Sequence, residues 1–239
     1  MFGLFRKYFS VIGSGLLEGA VDNHSHLLPG VDDGVSTLDE SLDILSMLEE
    51  NGVKKVWFTP HIMEDVRNTT DDLRRLYDQL LEAYEGKMMT ALAAEYMMDN
   101  VFEERLRTGD LLTHGGGTLL VETSTWAPPL RFWELISEMQ DRGYRPILAH
   151  PERYRYMRDS DYDKLVESKV ILQVNIPSLV GFYGEDVRAK AETFLKKGWV
   201  SMLGSDCHSE RRIKYQYNVK ELDKTIIERL KPIMTADAG

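Results

Sequence analysis

Short apolar runs alternate with longer amphipathic segments along most of the chain. Several of the short runs are apolar on both faces, which is typical of parallel strands covered on both sides. The runs that predict strands are residues 20–23, 53–59, 88–94, 118–122, 146–149, 170–176 and 200–204. Repeated alternation of strand and helix predicts βα units and a parallel sheet.

Leucine-rich stripes with helical spacing fill the intervals between these runs. Thr37 to Glu40 has the pattern of a capping box, and Asn51-Gly52 marks the end of the helix that follows. Further helices are predicted over residues 69–86, 131–142, 185–197 and 222–230. We therefore predict one α/β domain over residues 20–239, built as a barrel of about seven strands. An open doubly wound sheet is the alternative.

Residues 1–19 precede the first predicted strand and mix apolar residues with Arg6 and Lys7. A cleaved secretory signal would place its charge before an unbroken apolar stretch, and this segment does not. We predict an N-terminal arm that packs on the barrel. Weak contact of this arm with a membrane surface is the alternative.

Composition narrows the classes of function. With 39 acidic and 29 basic residues the chain has a formal charge of −10, which argues against general nucleic-acid binding. Hydrophobic residues make up 43% and charged residues 28%, as in globular proteins. The single Cys207 excludes an internal disulfide framework and suits a reducing, cytoplasmic compartment.

Candidate chemistry lies at the ends of the predicted strands. Five of the six histidines end or follow a strand, and carboxylates accompany them. These residues are His24, His26, His61, Glu95, Glu122, His150, Asp206 and His208. Carboxyl ends of parallel strands share one rim, so the side chains should converge. Imidazole with carboxylate and no thiolate predicts a site for Zn, Mn or Fe.

Six segments carry a resemblance to a known family: DNHSHLLPGVDDG, FTPH, AAEY, LLVETS, ILAHPERY and LGSDCH. In this order, from about Val21 to about Lys214, they resemble the PHP family, named for polymerase and histidinol phosphatase. The closest likeness is to its capsule-type bacterial protein tyrosine phosphatases. The resemblance implies a distorted (β/α)7 TIM-like barrel of the PHP type with three divalent metal ions. Mn is the expected metal, with Fe, Zn or Mg as alternatives.

The resemblance also implies a ligand set. One ion would be held by His24, His26, Glu95 and Asp206, a second by Glu95, Glu122 and His150, and a third by Asp33, His61 and His208. The choice of Asp33 over Asp32 is likewise implied by the resemblance alone.

The implied reaction is hydrolysis of protein phosphotyrosine by attack of metal-bound hydroxide. The implied substrate is a bacterial tyrosine kinase of capsule or exopolysaccharide synthesis. Paired metals lower the pKa of a shared water and neutralise phosphate oxygens. Arg153, three residues beyond His150, is the first candidate for a bidentate phosphate clamp, and Arg211 and Arg212 are weaker candidates.

Two other functions stay open on the sequence. One is a PHP phosphatase for a small metabolite such as histidinol phosphate. The other is a non-catalytic, metal-dependent regulator that binds phosphotyrosine tails. Because every residue of the implied ligand set is present, the sequence favours an enzyme over a non-catalytic regulator.

Three further features have simpler interpretations. A thiol phosphatase needs Arg six positions after its cysteine, and Ile213 stands there, so Cys207 is predicted to be a buried spacer. His114 and the glycines after it predict a turn before the fourth strand. An aromatic wall for the substrate and ordinary loop packing are equally open for Trp126, Pro128, Pro129, Tyr154 and Tyr156.

Overall fold

The structure is a computed structural model and describes residues 7–239. The first six residues of the predicted arm lie outside the described residues. Each of the seven predicted strand runs overlaps one strand. The strands are β1 (Tyr8–Phe9), β2 (Val21–Ser25), β3 (Lys55–Phe58), β4 (His61–Ile62), β5 (Met89–Leu92), β6 (Glu95–Met97), β7 (Thr118–Glu122), β8 (Arg145–Ala149), β9 (Ile171–Asn175), β10 (Val200–Gly204) and β11 (Leu222–Asp223).

The strands of these seven runs, together with β4 and β6, pair in parallel and form two sheets. One sheet has the order β2-β3-β5, and the other has the order β10-β9-β8-β7-β6-β4. Pro60 separates β3 from β4, because a proline has no N–H to donate to the ladder. The fold is thus mixed α/β with parallel sheets, as predicted, although the ladders are not one continuous ring.

Backbone hydrogen bonds connect β2 with the segment that follows β10. The amide of Asp206 donates to the carbonyl of His24 at 2.8 Å, and the amide of His26 donates to the carbonyl of Cys207 at 3.0 Å. The two sheets therefore meet where the first and last parallel strands end, which brings residues from both ends of the chain together.

Helices cover the sheets in most of the intervals between strands. They are α1 (Leu38–Glu50), α2 (Thr70–Ala83), α3 (Asn100–Thr108), α4 (Phe132–Asp141), α5 (Asp159–Glu167), α6 (Ile176–Leu179), α7 (Glu185–Lys197), α8 (Glu210–Asn218) and α9 (Lys224–Leu230). Thr37 caps α1 as predicted, because its hydroxyl accepts from the amide of Glu40 at 3.2 Å. The predicted start of the last helix at residue 222 was wrong. That helix begins at Lys224, where Asp223 accepts from the amide of Ile226 at 3.0 Å.

The segment from Lys7 to Gly19 packs against the rest of the fold. Val11, Leu16 and Leu17 are buried in the main hydrophobic core. β1 pairs with β11 in a small antiparallel sheet. Within residues 7–239, no helix combines the length and apolar character needed to cross a bilayer.

The amino ends of the parallel strands are covered by residues 234–239. The amide of Val21 donates to Met234 O at 2.7 Å, and the Thr118 hydroxyl donates to Ala238 O at 2.7 Å. The Asp237 carboxylate accepts from the indole N–H of Trp57 at 2.8 Å. We call this end of the sheets the floor, and the opposite end, where the strands finish, the rim.

Candidate metal centre

The rim brings together all nine side chains that the sequence and the family resemblance pointed to. Within the described residues they form overlapping groups whose ligand atoms lie within 4.8 Å of one another. The groups are His26-Asp33-His61-His208, His24-Glu95-His150, His24-His26-Asp206 and His61-Glu95-Glu122. Because the groups share members, the distances by themselves do not divide the cluster into three separate sites.

The two histidines of β2 and its end are oriented by partners on their Nδ1 atoms. Nδ1 of His24 lies 2.9 Å from Gln173 Oε1, and Nδ1 of His26 lies 2.8 Å from Asp32 Oδ2. When each Nδ1 donates its proton, each Nε2 presents a lone pair. The two Nε2 atoms face each other at 3.1 Å. Two lone pairs this close repel unless a cation lies beside them, so this donor set fits a metal ion.

Glu95 lies at the centre of the cluster and is fully buried. Its Oε2 lies 3.2 Å from His24 Nε2 and 3.3 Å from His26 Nε2, while its Oε1 lies 3.0 Å from His150 Nε2. Metal bonds of about 2.0–2.2 Å place neighbouring ligand atoms about 3.0–3.5 Å apart. Within residues 7–239, Oε2 has no hydrogen-bond donor that meets the usual geometry. A carboxylate whose two oxygens face different imidazoles is suited to bridging two ions.

The two adjacent aspartates of the VDDG segment have different surroundings. Asp33 Oδ1 lies 3.5 Å from His61 Nε2 and 3.4 Å from His208 Nε2. Asp32 instead accepts from His26 Nδ1 and, at 2.9 Å, from the amide of His61. The Asp33 carboxylate therefore faces the ring nitrogens of His61 and His208, whereas the Asp32 carboxylate holds the orientation of the His26 ring.

Glu122 lies beside His61 and His150 in the cluster. Its Oε1 lies 3.3 Å from His61 Nδ1 and its Oε2 lies 3.7 Å from His150 Nε2. This carboxylate therefore lies between the histidines at the ends of two different strands.

Electrostatics at the rim favour bound positive charge. Burial disfavours a charged imidazole, yet the negative charges of Glu95 and Asp206 raise the pKa of His24 to about 9. Burial also disfavours the Asp206 carboxylate, but His24 and His26 hold the pKa of Asp206 well below its usual range. The carboxylates of the rim therefore favour positive charge on the groups beside them.

Two of these residues have backbone conformations that side chains rarely adopt. His150 has φ 35° and Asp206 has φ 50°. Non-glycine residues with positive φ are uncommon and cluster at functional sites, where the surrounding structure holds them. The strain at the rim turns both side chains toward the cluster.

The three candidate arginines have different positions. Arg153 and Arg212 line a pocket of about 210 Å³ over the cluster, together with Asp33, His61, Glu95, Glu122, His150, Asp206 and His208. Arg153 Nη1 lies 3.1 Å from Asp206 Oδ2. Arg211 lines a neighbouring depression instead.

Sequence reasoning missed the polar residues that hold Asp206. The Asn175 side-chain amide donates to Asp206 Oδ2 at 2.6 Å, and the Tyr183 hydroxyl donates to the same oxygen at 3.3 Å. Gln173 and Asn175 alternate with apolar residues along β9 and point the same way. Two buried amides on one face of an apolar strand were the signal that could have identified them. Tyr183 lies in a loop and gave no such signal.

The remaining sequence candidates do not line the metal pocket. Cys207 is buried, and burial raises the pKa of its thiol, which agrees with the prediction of a buried spacer. Tyr154 is buried and its hydroxyl accepts from the amide of Thr123 at 3.1 Å, so it packs in the loop. Trp126 is exposed beneath the Arg155 guanidinium, 4.0 Å from its ring centre. The aromatic residue that lines the metal pocket is Tyr183.

Comparison with known proteins connects this geometry to a family. The family model described as "Capsular polysaccharide synthesis, CpsB/CapC" matches residues 20–230. The tyrosine-protein phosphatase YwqE of Bacillus subtilis (strain 168) is 26% identical over 91% of this chain and 89% of its own length. The tyrosine-protein phosphatase CpsB of Streptococcus pneumoniae is 25% identical over 79% of this chain and 83% of its own.

The fold has a counterpart among solved structures. It comes from crystal structures of YwqE from Bacillus subtilis and CpsB from Streptococcus pneumoniae, described as unique metal-dependent tyrosine phosphatases. The TM-score is 0.73 at 23% identity, over 90% of this chain and 87% of the solved one. At this identity the likeness establishes a shared fold.

Proposed function

The chain belongs to the CpsB/CapC family of capsular polysaccharide synthesis, and on that premise we propose that it is a metal-dependent hydrolase that removes phosphate from protein phosphotyrosine. The observation that carries the proposal is the facing pair of Nε2 atoms of His24 and His26, 3.1 Å apart beside Glu95. Such a pair needs a cation, and arginines stand over it. Named relatives with this activity support the choice of substrate.

The finer architecture in this proposal is a distorted (β/α)7 barrel of the PHP type. It counts β3 with β4, and β5 with β6, as single interrupted strands. The hydrogen bonds between His24 and Asp206 and between His26 and Cys207 support closure between the first and last strands. Residues 1–19 form an arm and residues 20–239 the phosphatase domain in this scheme, which the range of the family match supports.

The metal content in the proposal is three divalent ions, with Mn as the expected metal. His24, His26, Glu95 and Asp206 would hold one, Glu95, Glu122 and His150 a second, and Asp33, His61 and His208 the third. Such ions lower the pKa of a water molecule and neutralise phosphate oxygens. The family resemblance supplies this division, and the short distances from Glu95 to His24 and His150 and from Asp33 to His61 and His208 are compatible with it.

The other residues of the rim position the substrate. Arg153 pairs with Asp206 Oδ2. A phosphate that enters the pocket carries more negative charge than this carboxylate and is therefore a stronger partner for the guanidinium of Arg153. Arg212 lines the same pocket and is the second phosphate-binding arginine in this scheme. The overall reaction adds water across the phosphorus–oxygen bond, so the tyrosine oxygen leaves and takes up a proton.

The setting in this proposal is the cytoplasm, and the substrate is a bacterial tyrosine kinase that carries phosphotyrosine. The free, buried Cys207 is consistent with a reducing compartment.

The test uses the whole chain and compares its activity on three substrates. Purified protein with manganese is assayed against a phosphotyrosine peptide, a phosphoserine peptide and histidinol phosphate, before and after chelation. We expect the phosphotyrosine peptide to be the best substrate, with activity lost on chelation and restored by manganese. Preference for histidinol phosphate would make this a metabolite phosphatase. Tight binding without turnover of any substrate would make it a regulator.

A further inference from the structure

The loop between α6 and α7 forms one edge of the metal pocket. It reads Gly181-Phe182-Tyr183-Gly184, and its two glycines have φ 77° and 98°, which strain other residues. The amide of Phe182 donates to Pro177 O at 3.1 Å, and the amide of Gly184 donates to Gly181 O at 3.0 Å. The loop is therefore fixed in shape and presents its two aromatic residues in set directions.

The two aromatic rings of this loop face different spaces. Their centroids are 5.2 Å apart and their planes meet at 83°. Tyr183 lies beneath the Arg153 guanidinium, 4.6 Å from its ring centre, and lines the metal pocket. Phe182 lines the neighbouring depression of about 450 Å³. We call this depression the flanking subsite, and it is lined by Phe182, Ser209, Arg211, Arg212 and Tyr215.

The flanking subsite is open and shares the side chain of Arg212 with the metal pocket. Phe182 is 38% exposed and Tyr215 is 64% exposed, which are large values for aromatic residues. A peptide whose phosphate lies in the metal pocket can therefore pass over Arg212 and bring a neighbouring side chain into this depression.

The charge of the flanking subsite is unbalanced. Neither Arg211 nor Arg212 forms an ion pair with any acidic residue in the described part of this acidic chain, whereas Arg105 and Arg188 both do. Both guanidinium groups are exposed to solvent and are free to pair with an incoming anion, and this attraction is weakened by salt. The chemistry that complements the depression is a carboxylate.

We propose that the flanking subsite binds an Asp or Glu side chain of the substrate, within a few residues of the phosphotyrosine. The proposal rests on the proposed function and names the sequence context that the enzyme prefers. Arg211 pairs with the carboxylate, and Phe182 and Tyr215 pack along its aliphatic part. Arg153 and Arg212 stay with the phosphate.

The first arm of the test uses three phosphotyrosine peptides of equal length, flanked on both sides by Glu, by Ala or by Lys. The manganese-loaded full chain should give the order Glu, Ala, Lys in kcat/KM. Each exposed ion pair contributes little, so we expect steps of roughly two- to fivefold, which shrink as salt rises. p-Nitrophenyl phosphate, which has no flanks, is assayed alongside. If the protein hydrolyses p-nitrophenyl phosphate but shows no preference among the peptides, this inference alone is wrong. If it hydrolyses none of the substrates, the proposed function is wrong.

The second arm assigns the preference to the depression. Arg211→Gln should bring the Glu-to-Ala ratio close to one, and Arg211→Glu should make the Lys-flanked peptide the better substrate. The matched control is Arg145→Gln, an exposed arginine at the first residue of β8 near the floor, which should keep the parent ratio. If the Arg211 variants keep the parent ratio, or if the Ala-flanked peptide is preferred by the parent, the inference is wrong.

Discussion

The rim and the floor each bury a histidine completely, and the two have opposite acid–base properties. His24 belongs to the rim, where nearby carboxylates raise its pKa to about 9. His114 lies toward the floor, where burial lowers its pKa to about 4. Nε2 of His114 lies 3.0 Å from the carbonyl of Asn23, the residue just before His24. Two imidazoles on neighbouring parts of the fold therefore differ by about five pKa units.

The difference separates two effects of burial. Removal from water alone favours the neutral ring, as at His114. At His24 the converging negative charges outweigh that cost. Burial is therefore a poor marker of a functional histidine in this protein, and the number of carboxylates that face the ring is a good one.

The largest effect should come from removing one negative charge at the centre of the rim. Glu95→Gln keeps the shape of the side chain but cannot bridge two cations. We expect kcat to fall more than about 100-fold, since even residues that only support metal ligands cost about 10- to 100-fold. Elemental analysis should show fewer metal ions per chain. Full metal content with more than a tenth of the parent activity would contradict the central place given to Glu95.

Substitution of Arg153 tests whether the residues that bind phosphate are distinct from those that bind metal. Arg153→Ala should lower kcat/KM by roughly 10- to 150-fold, because a charge-assisted bond contributes about 1.5–3 kcal/mol. Metal content and melting temperature should change little. Arg153→Lys should recover part of the loss, since a point charge cannot reproduce the planar fork. Parent-like turnover of a phosphotyrosine peptide by Arg153→Ala would leave Arg212 as the phosphate-binding residue.

His114 should make the free energy of unfolding fall as the pH is lowered, because its burial near the floor disfavours the protonated ring. Its pKa in the folded protein, about 4, lies below the value of about 6.5 expected when unfolded. Stability is therefore complete above pH 6.5 and falls as pH drops toward 4, by up to about 1.4 kcal/mol per pH unit. His114→Gln removes this contribution, so its unfolding free energy should vary less over that range.

The measurement is urea unfolding of metal-free parent and His114→Gln proteins at pH 7, 6 and 5. Other titrating groups are shared by the two proteins and cancel in the difference. Equal slopes against pH would show that the ring of His114 is protonated as readily in the fold as in the unfolded chain.

The smallest effect on activity should come from Cys207, which lies between two rim residues but points away from them. Cys207→Ala should keep activity within about twofold, because burial holds the thiol protonated and it does not line the pocket. Its cost should appear in stability, as about 1 kcal/mol for lost packing. Loss of activity with metal content intact would reverse the assignment.

The sequence predicted the rim better than it predicted the loops. His24, Glu95 and Asp206 lie at or just after apolar runs that are clear in the sequence, and parallel strands put their carboxyl ends together, so the convergence followed from local pattern. α3, α5 and α8 were missed because their apolar residues are few and do not form a long stripe. Tyr183 was missed because the path of a loop depends on tertiary contacts.

The sequence also could not predict that Arg211 and Arg212 line different sets of pockets. Arg211 and Arg212 are neighbours in the chain, but Arg211 lines the flanking subsite while Arg212 lines both the subsite and the metal pocket. They differ because α8 begins at Glu210 and turns the backbone by about 100° per residue. The choice between Asp32 and Asp33 is similar. The two carboxylates differ because Asp32 accepts from the backbone amide of His61, a contact between distant parts of the chain that the sequence pattern does not reveal.

The connection between β2 and the segment after β10 has a consequence for biosynthesis. Asn23 donates to the carbonyl of Leu203, 180 residues later, at 3.2 Å. At about 5–20 residues per second, a ribosome needs roughly 10 to 40 s to make that span. Until that span has been made, His24 and His26 cannot meet Asp206. The nascent chain can therefore complete the rim only after β10 and the segment that follows it have been synthesised.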